Sequence, residues 1–319
     1  MSILLVCLPA DRLPESQLAK IQTAAPDMRV VTTTEHAEIE ALLDEVEIAI
    51  SVPHDLLARA PRLRWVQEWG AGVDWLLQHP EVAELDFTLT NASGVHAIPI
   101  SEQILAYLLA FARGLPAAIR AQDSQIWQAA KRDQLFELAG KTMLLVGVGA
   151  IGERTAVVAA ALGMRVLGIR RNPAGDLPGV EAIYGADRLY DRLPEADFVV
   201  LTVPLSHATQ GMIGERELRA MKPTSYLINI GRGGTIQQPA LIQALREGWI
   251  AGAGLDVFDQ EPLPATSPLW ELENVIMTAH YAGLTPAYDQ RALAIFLDNL
   301  QRYRAGEPLK NVVDKAAGY

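Results

Sequence analysis

Cysteine is almost missing from this sequence: Cys7 is the single one in 319 residues. No disulfide can close within the chain, and the paired-cysteine spacing of a metal site cannot occur, so no metal centre is expected. A chain without disulfides suits a reducing compartment, and a cytoplasmic location is expected. Positive charge is scarce as well: 27 Lys and Arg against 38 Asp and Glu give a formal net charge of −11. That balance argues against nucleic acid or an anionic membrane surface as partner. No apolar run reaches the roughly 20 residues of a membrane span. The N-terminal stretch S-I-L-L-V-C-L-P is too short for the apolar region of a signal peptide with its flanks and reads as a buried first strand. Tandem repeats, low-complexity tracts and a Pro- or Ser-rich linker are also lacking.

What is present is apolar residues, 50% of the chain, and a length that favours two domains. Residues 1 to about 98 alternate short apolar runs with amphipathic stretches. The runs Ile3–Leu8, Arg29–Thr32, Ile48–Ser51, Trp65–Gln67 and Phe87–Thr90 are predicted strands; Glu15–Thr23 and His54–Ala60 are predicted helices. A long apolar helix follows, I-S-E-Q-I-L-A-Y-L-L-A-F-A-R, with Ser101 as its expected cap. It is too apolar to be one-sided, so it is expected between domains or against a second subunit. A second alternating series then runs through Met143–Val146, Arg165–Ile169, Phe198–Leu201, Tyr226–Asn229 and Val275–Met277, with a helix at Ile151–Leu162 and a last amphipathic helix from Pro286 to Arg304. Strand and helix in alternation predict an α/β protein with mainly parallel sheets.

The stretch K-T-M-L-L-V-G-V-G-A-I-G places G-x-G-x-x-G between a strand and a helix, the setting a dinucleotide fingerprint requires. Gly147 would make the tight turn, Gly149 would admit the pyrophosphate to the backbone, and Gly152 would let helix and strand pack closely. The phosphates would sit on the helix N-terminus at Ala150 and Ile151. At the end of the next strand, where a carboxylate would grip the adenosine ribose, the chain has none. Arg170 and Arg171 stand there, 23 positions past Gly147. A carboxylate would bond the 2′-hydroxyl of NAD and repel a 2′-phosphate; an arginine fork does the reverse. NADP(H) is therefore expected in preference to NAD(H), the plainer alternative being two cations that only solvate a loop.

Three later stretches hold polar residues in unusual company. In Y-L-I-N-I-G-R-G-G-T, Arg232 follows a strand and is flanked by glycines that let a ligand approach. A-G-L-D-V-F-D-Q-E-P carries Asp256 and Glu261. N-V-I-M-T-A-H-Y-A-G places His280 just past a strand. Taken singly, an arginine in a glycine turn can simply bond nearby carbonyls, and a lone histidine after a strand is more often structural than catalytic. Together with G-A-G-V-D (70–74), G-V-G-A-I-G, A-D-F-V-V-L-T-V-P-L (196–205) and A-H-Y-A-G-L-T, they resemble the D-isomer-specific 2-hydroxyacid dehydrogenase family through nearly the whole chain and in the family's order.

The resemblance implies a Rossmann-type cofactor domain (99–285) inserted in a flavodoxin-like substrate domain (1–98 plus 286–319), with the active site in the cleft and a homodimer contact at the long helix. It implies Arg232, Glu261 and His280 as the catalytic set. Arg232 would bind the carboxylate of a 2-oxoacid and polarise its carbonyl, His280 would give the proton, and Glu261 would fix the imidazole and favour its charged form. Gly70, Ala71 and Gly72 would offer the substrate carboxylate main-chain N–H groups. Val203, Pro204, Thr209, Ile230, Gly231, Ala282 and Gly283 would line the cofactor, with Asp256 facing the nicotinamide amide. Trp69, His96, Trp127 and Tyr281 lie near these segments; for Trp127 core or dimer packing competes with a pocket role, and for His96 a surface position is expected. Gln237 and Ala279 depart from the residues common in relatives, away from the named chemistry.

The activity implied is NADPH-dependent reduction of glyoxylate or hydroxypyruvate to the D-2-hydroxyacid, as in the glyoxylate/hydroxypyruvate reductase branch. The alternatives are a reductase for 2-oxoacids with larger side chains and a dinucleotide-sensing, corepressor-like binding protein.

Overall fold

The computed structural model describes residues 1–318. In chain order the elements begin with β1 (Ile3–Val6), α1 (Glu15–Ala24), β2 (Arg29–Thr32), α2 (His36–Leu42), β3 (Val46–Ile50), β4 (Trp65–Gln67), β5 (Thr88–Thr90), α3 (Ala97–Ala112) and α4 (Leu115–Asp123). They continue with β6 (Thr142–Val146), α5 (Ala150–Ala161), β7 (Arg165–Ile169), β8 (Ala182–Tyr184), α6 (Leu189–Arg192) and β9 (Phe198–Leu201). The last are α7 (Glu215–Ala220), β10 (Tyr226–Asn229), α8 (Gln238–Glu247), β11 (Gly252–Leu255), β12 (Val275–Met277) and α9 (Tyr288–Ala305). The chain divides into two compact units, Met1–Val95 with residues 285–318, and His96–Leu284. The first division thus falls before His96 rather than after Ile98, because α3 already starts at Ala97.

The first unit has a parallel sheet in the order β2-β1-β3-β4-β5, the flavodoxin-like arrangement. Strict side-chain alternation splits β1 between two cores. Ile3 and Leu5 face Ile39, Leu43 and Val66; Leu4 and Val6 face Ile21, Trp65 and the α9 residues Leu293 and Phe296. Covering both faces is why these strands read as continuous apolar runs. His54–Arg59 is a 3-10 turn rather than the predicted α-helix, with Pro53 ahead of it.

The second unit has a seven-stranded sheet in the order β12-β11-β10-β9-β6-β7-β8, parallel throughout. Counted from β6, this is the Rossmann order with one strand added. Leu144 and Val146 enter one core and Met143 and Leu145 the other. The apolar α3 is a core helix of this unit: it buries Ile104, Tyr107 and Leu108 with Met143 and Leu145 while leaving Ile98 and Leu109 exposed. Ser101 is not its cap. It lies a turn inside, buried, with its hydroxyl donating back to the Ile98 carbonyl. Trp127 is 99% exposed and fills no core position. Among the described residues no single helix is long and apolar enough to cross a membrane; α3 and α4 reach that length only together and are bent by 73°.

Candidate active site

The candidate residues of the second unit all lie just past the carboxyl ends of its strands. Along the sheet they run as His280 after β12, Asp256 and Glu261 after β11, Arg232 after β10, Val203 and Pro204 after β9, the glycine loop after β6 and Arg170 after β7. This is the edge where parallel α/β sheets bind ligands.

The glycine loop has the shape a dinucleotide needs. Gly147 takes φ +98°, and its N–H donates to the Ile169 carbonyl at 2.9 Å, so the loop is tied to the end of β7, where Arg170 begins. A Cβ on Gly152 would stand 2.5 Å from the Gly147 carbonyl oxygen, which fixes how closely α5 approaches the turn. A Cβ on Gly149 would meet nothing within 4 Å. The space beside Gly149 is open, and α5 begins at Ala150 with the N–H groups of its first turn unused by the helix. These residues fit a bound pyrophosphate. Arg170 is half-buried, its main-chain N–H held by the Tyr184 carbonyl at 2.9 Å, and Arg171 is exposed. Among the described residues no carboxylate forms an ion pair with the Arg170 side chain.

Arg232 leaves β10 through a loop that Asn229 organises. The Asn229 amide donates to the Arg232 carbonyl at 3.0 Å and accepts from the Gly231 N–H at 3.1 Å; the Thr235 hydroxyl also donates to the Arg232 carbonyl, at 2.7 Å. One guanidinium nitrogen donates to the Gly231 carbonyl at 2.8 Å. The next residue, Gly233, is pressed onto the main chain of Phe258 and Asp259, three and two residues before Glu261. The loops of Arg232 and Glu261 therefore touch through their backbones.

Glu261 and His280 form a pair. The His280 Nδ1 lies 2.6 Å from one Glu261 oxygen, and the other accepts from the Phe258 N–H at 2.9 Å. With Nδ1 donating to the carboxylate, Nε2 is the nitrogen left to exchange a proton. The imidazole is half exposed, as its reach to a substrate requires.

Asp256, the residue expected at the nicotinamide amide, is itself tied into the chain. It is 2% exposed. Its oxygens accept from the Tyr281 and Ala282 N–H groups, each at 3.1 Å, and from the Thr278 hydroxyl. Its carbonyl accepts the His280 N–H at 2.8 Å. The residue is turned toward the His280 loop and holds it. Thr209 is similarly occupied: its hydroxyl donates to the Pro204 carbonyl at 2.6 Å and stitches that loop. Ile230 and Ala282 are buried, while Val203 and Gly283 are partly open.

His96 was expected on the surface and is half-buried instead. Its Nδ1 stands 3.3 Å from the Gly283 carbonyl. Burial, with the positive fields of Arg232 and His280, lowers its pKa from the ordinary 6.5 against the opposing pull of that carbonyl. Tyr281 is 47% exposed. Sequence reading passed over Asn229, Thr278 and Tyr107. A polar residue at the last position of an apolar strand was the available sign for Asn229.

In the first unit, the Gly70–Gly72 loop hangs on its carbonyls. Gly70 accepts from the Ala92 N–H at 2.9 Å and Ala71 from the Asn91 amide at 2.8 Å. Among the described residues the N–H groups of Ala71 and Gly72 serve no other acceptor, which leaves them able to meet an anion. Trp69 is a buried anchor, its indole N–H donating to Asp289 at 2.7 Å.

Comparisons with known proteins agree with this fold. A family model described as D-isomer specific 2-hydroxyacid dehydrogenase, NAD binding domain, matches residues 105–282. A glyoxylate reductase of Korarchaeum cryptofilum is 35% identical over 95% of this chain and 94% of its own length. A D-isomer specific 2-hydroxyacid dehydrogenase from Xanthobacter autotrophicus, solved with NADPH and MES, superposes with a TM-score of 0.86 at 31% identity, covering 100% of this chain and 99% of that one. An NADPH-dependent glyoxylate/hydroxypyruvate reductase from Sinorhizobium meliloti, solved with NADP and sulfate, gives 0.85 at 29% identity with both chains fully covered. The chain thus belongs to the D-isomer-specific 2-hydroxyacid dehydrogenase family of nicotinamide-dependent oxidoreductases and resembles its glyoxylate/hydroxypyruvate reductase branch.

Proposed function

We propose that this protein reduces a small 2-oxoacid of the glyoxylate or hydroxypyruvate kind to the D-2-hydroxyacid with NADPH. The observation that carries the reading is the Glu261–His280 pair, placed with Arg232 on loops past neighbouring strands of a sheet whose glycine loop is shaped for pyrophosphate.

The groups have distinct tasks. Arg232 takes the substrate carboxylate and draws charge toward the carbonyl oxygen with the same planar fork. In the first unit the N–H groups of Ala71 and Gly72 are suited to a substrate carboxylate. When bound, the reduced nicotinamide supplies the hydride to the carbonyl carbon. His280 passes its Nε2 proton to the oxygen that becomes the hydroxyl, and Glu261 holds Nδ1 so that Nε2 stays aimed outward. Gly147, Gly149 and Gly152 with Ala150 and Ile151 hold the pyrophosphate; Val203, Pro204, Thr209, Ile230, Gly231, Ala282 and Gly283 line the dinucleotide. Arg170 and Arg171 take the 2′-phosphate, and NADP(H) is preferred for that reason. The relatives solved with NADPH and NADP support this preference by similarity. The working form is a homodimer.

The test is NADPH against NADH oxidation, followed by absorbance, with glyoxylate, hydroxypyruvate, pyruvate and an aromatic 2-oxoacid. Fast turnover of the first two with NADPH is the expected result. Equal rates with NADH would return the arginines to ordinary loop cations. Tight NADPH binding with no turnover on any oxoacid would favour the dinucleotide-sensing reading.

A further inference from the structure

Behind the His280 loop lies a partly buried chain of hydroxyls that the proposed chemistry does not use. His280 itself has φ +53°, a left-handed conformation that a side chain-bearing residue rarely adopts unless its surroundings impose it. The imposing contacts come from two residues. Leu255 accepts the Thr278 N–H at 2.9 Å through its carbonyl, and Asp256 gathers the N–H groups of His280, Tyr281 and Ala282. Asp256 is in turn held by the Thr278 hydroxyl.

The direction of the protons follows from the donor inventory. A carboxylate oxygen can only accept, so the single Thr278 hydroxyl proton goes to Asp256. The Thr278 oxygen must then accept from the phenol of Tyr107, 2.5 Å away. The Tyr107 hydroxyl also lies 3.2 Å from the Leu255 carbonyl, and the Gln103 side chain touches it. Burial pushes the phenol pKa up to about 12, which keeps its proton in place at any working pH.

Tyr107 belongs to α3, far from His280 in sequence, and its ring reaches the loop only because β11 is glycine-rich. A Cβ on Gly254 would stand 2.7 Å from the Tyr107 Cγ and 2.9 Å from the Ile228 side chain. The ring is 2% exposed, so its hydroxyl is spent wholly within this network.

We propose that Tyr107 is a positioning residue for His280, acting through Thr278 and Asp256. It does not meet substrate. It polarises and orients the Thr278 hydroxyl, which fixes Asp256, which holds the three amides that put the imidazole in its strained place. The inference rests on the reading of His280 as the proton donor.

The experiment compares Tyr107→Phe, Thr278→Val, Thr278→Ser and the double variant Tyr107→Phe/Thr278→Val with His280→Gln. The readouts are kcat at saturating NADPH and glyoxylate, and the NADPH Kd by fluorescence. Tyr107→Phe and Thr278→Val should each lower kcat roughly tenfold, from a displacement well below an ångström, with Kd held within about twofold. Thr278→Ser, which restores the hydroxyl, should recover kcat to within about twofold of the parent. The double variant should be little worse than either single one, because both cut the same chain.

Wild-type kcat in Tyr107→Phe and Thr278→Val, with His280→Gln inactive, overturns the inference and leaves the reading of His280 standing. Thr278→Ser as damaged as Thr278→Val, or a Kd that weakens in step with kcat, overturns it in favour of general packing. Near-normal kcat in His280→Gln removes the proton-donor role and the inference with it. If Tyr107→Phe fails to fold, the Thr278→Val and Thr278→Ser pair decides alone.

Discussion

A single methyl group at Gly233 should separate the groups of the candidate site without unfolding the protein. The Cβ would arrive 1.9 Å from the Phe258 carbonyl carbon, 2.0 Å from its oxygen and 2.5 Å from the Asp259 nitrogen. All three are main-chain atoms, so no rotamer change relieves the clash. The contact must open by about 1.5 Å, from 1.9 to 3.4 Å, before it becomes tolerable. Gly233 cannot retreat without carrying Arg232, its neighbour. Phe258 cannot retreat without disturbing Glu261, whose carboxylate takes the Phe258 N–H at 2.9 Å and the His280 Nδ1 at 2.6 Å. Either way Arg232 and His280 lose their mutual setting. A misplacement of 1 Å costs about a hundredfold in rate, so Gly233→Ala should lower kcat roughly 100- to 1,000-fold. The overpacking costs about 1–3 kcal/mol, which a domain with a typical margin of about 5–15 kcal/mol survives.

The assay is kcat with NADPH and glyoxylate, beside the thermal midpoint and the NADPH Kd. Kd should change by less than about threefold, since the pyrophosphate loop follows β6 on a different strand. Gly234→Ala is the control. Its Cβ would meet only the Leu205 side chain, at 3.3 Å, and a flexible side chain can move aside. A Gly233→Ala protein that folds and keeps kcat within about threefold of the parent would refute the reasoning, because the backbone contact would then not set the site.

His280→Gln should cut kcat by about 10²–10⁴-fold with the NADPH Kd intact; near-normal turnover would remove His280 from the acid role. Arg170→Asp should weaken NADPH by about 1.5–3 kcal/mol, or roughly 10- to 150-fold, and leave NADH much less affected. An unchanged ratio of the two affinities rejects the 2′-phosphate reading. Burial pushes the Cys7 thiol up to about 12, so at pH 8 only about one molecule in ten thousand is thiolate. Disulfide reagents should label it at a useful rate only after denaturation; rapid labelling of the native protein would contradict the burial. His96, lowered from 6.5, binds fewer protons folded than unfolded, so its contribution to stability is present above 6.5 and is lost as pH falls below that through its lowered folded value. The thermal midpoint should drop on acidification from pH 7, less so in His96→Asn; identical slopes in the two proteins would deny the shift.

The sequence showed the ends of strands well and the residues behind them poorly. Arg232, Glu261 and His280 stand in loops that leave the carboxyl ends of β10, β11 and β12, neighbours in one sheet. Once the apolar runs are read as parallel strands, their exits must share an edge, and a polar residue at an exit becomes visible as a candidate. Arg232 announced itself by its glycines, although the reason for them differs from the one expected. Gly233 is there less to admit a ligand than to let two main chains touch.

The strand β11 escaped detection for a related cause. G-A-G-L carries little strand propensity, yet it is an interior strand, next to the edge strand β12, whose missing Cβ at Gly254 makes room for Tyr107. The short β8 at the sheet edge is only partly buried and left too little apolar pattern to see. Ser101 was misread because its hydroxyl looked like a cap at the start of an apolar run, while the helix had begun four residues earlier, at Ala97. Tyr107, Thr278 and Asp256 share no spacing that a pattern could find, since they come from a helix, a strand exit and a neighbouring strand's exit. What joins them is the need of buried hydroxyls and carboxylates for partners, and that need is satisfied in three dimensions only. The residues that meet a ligand sit where the chain must turn, which periodicity reveals. Those that hold them in place sit wherever packing brings a donor to an acceptor, and there the strained φ of His280 is the mark that such a holding network must exist.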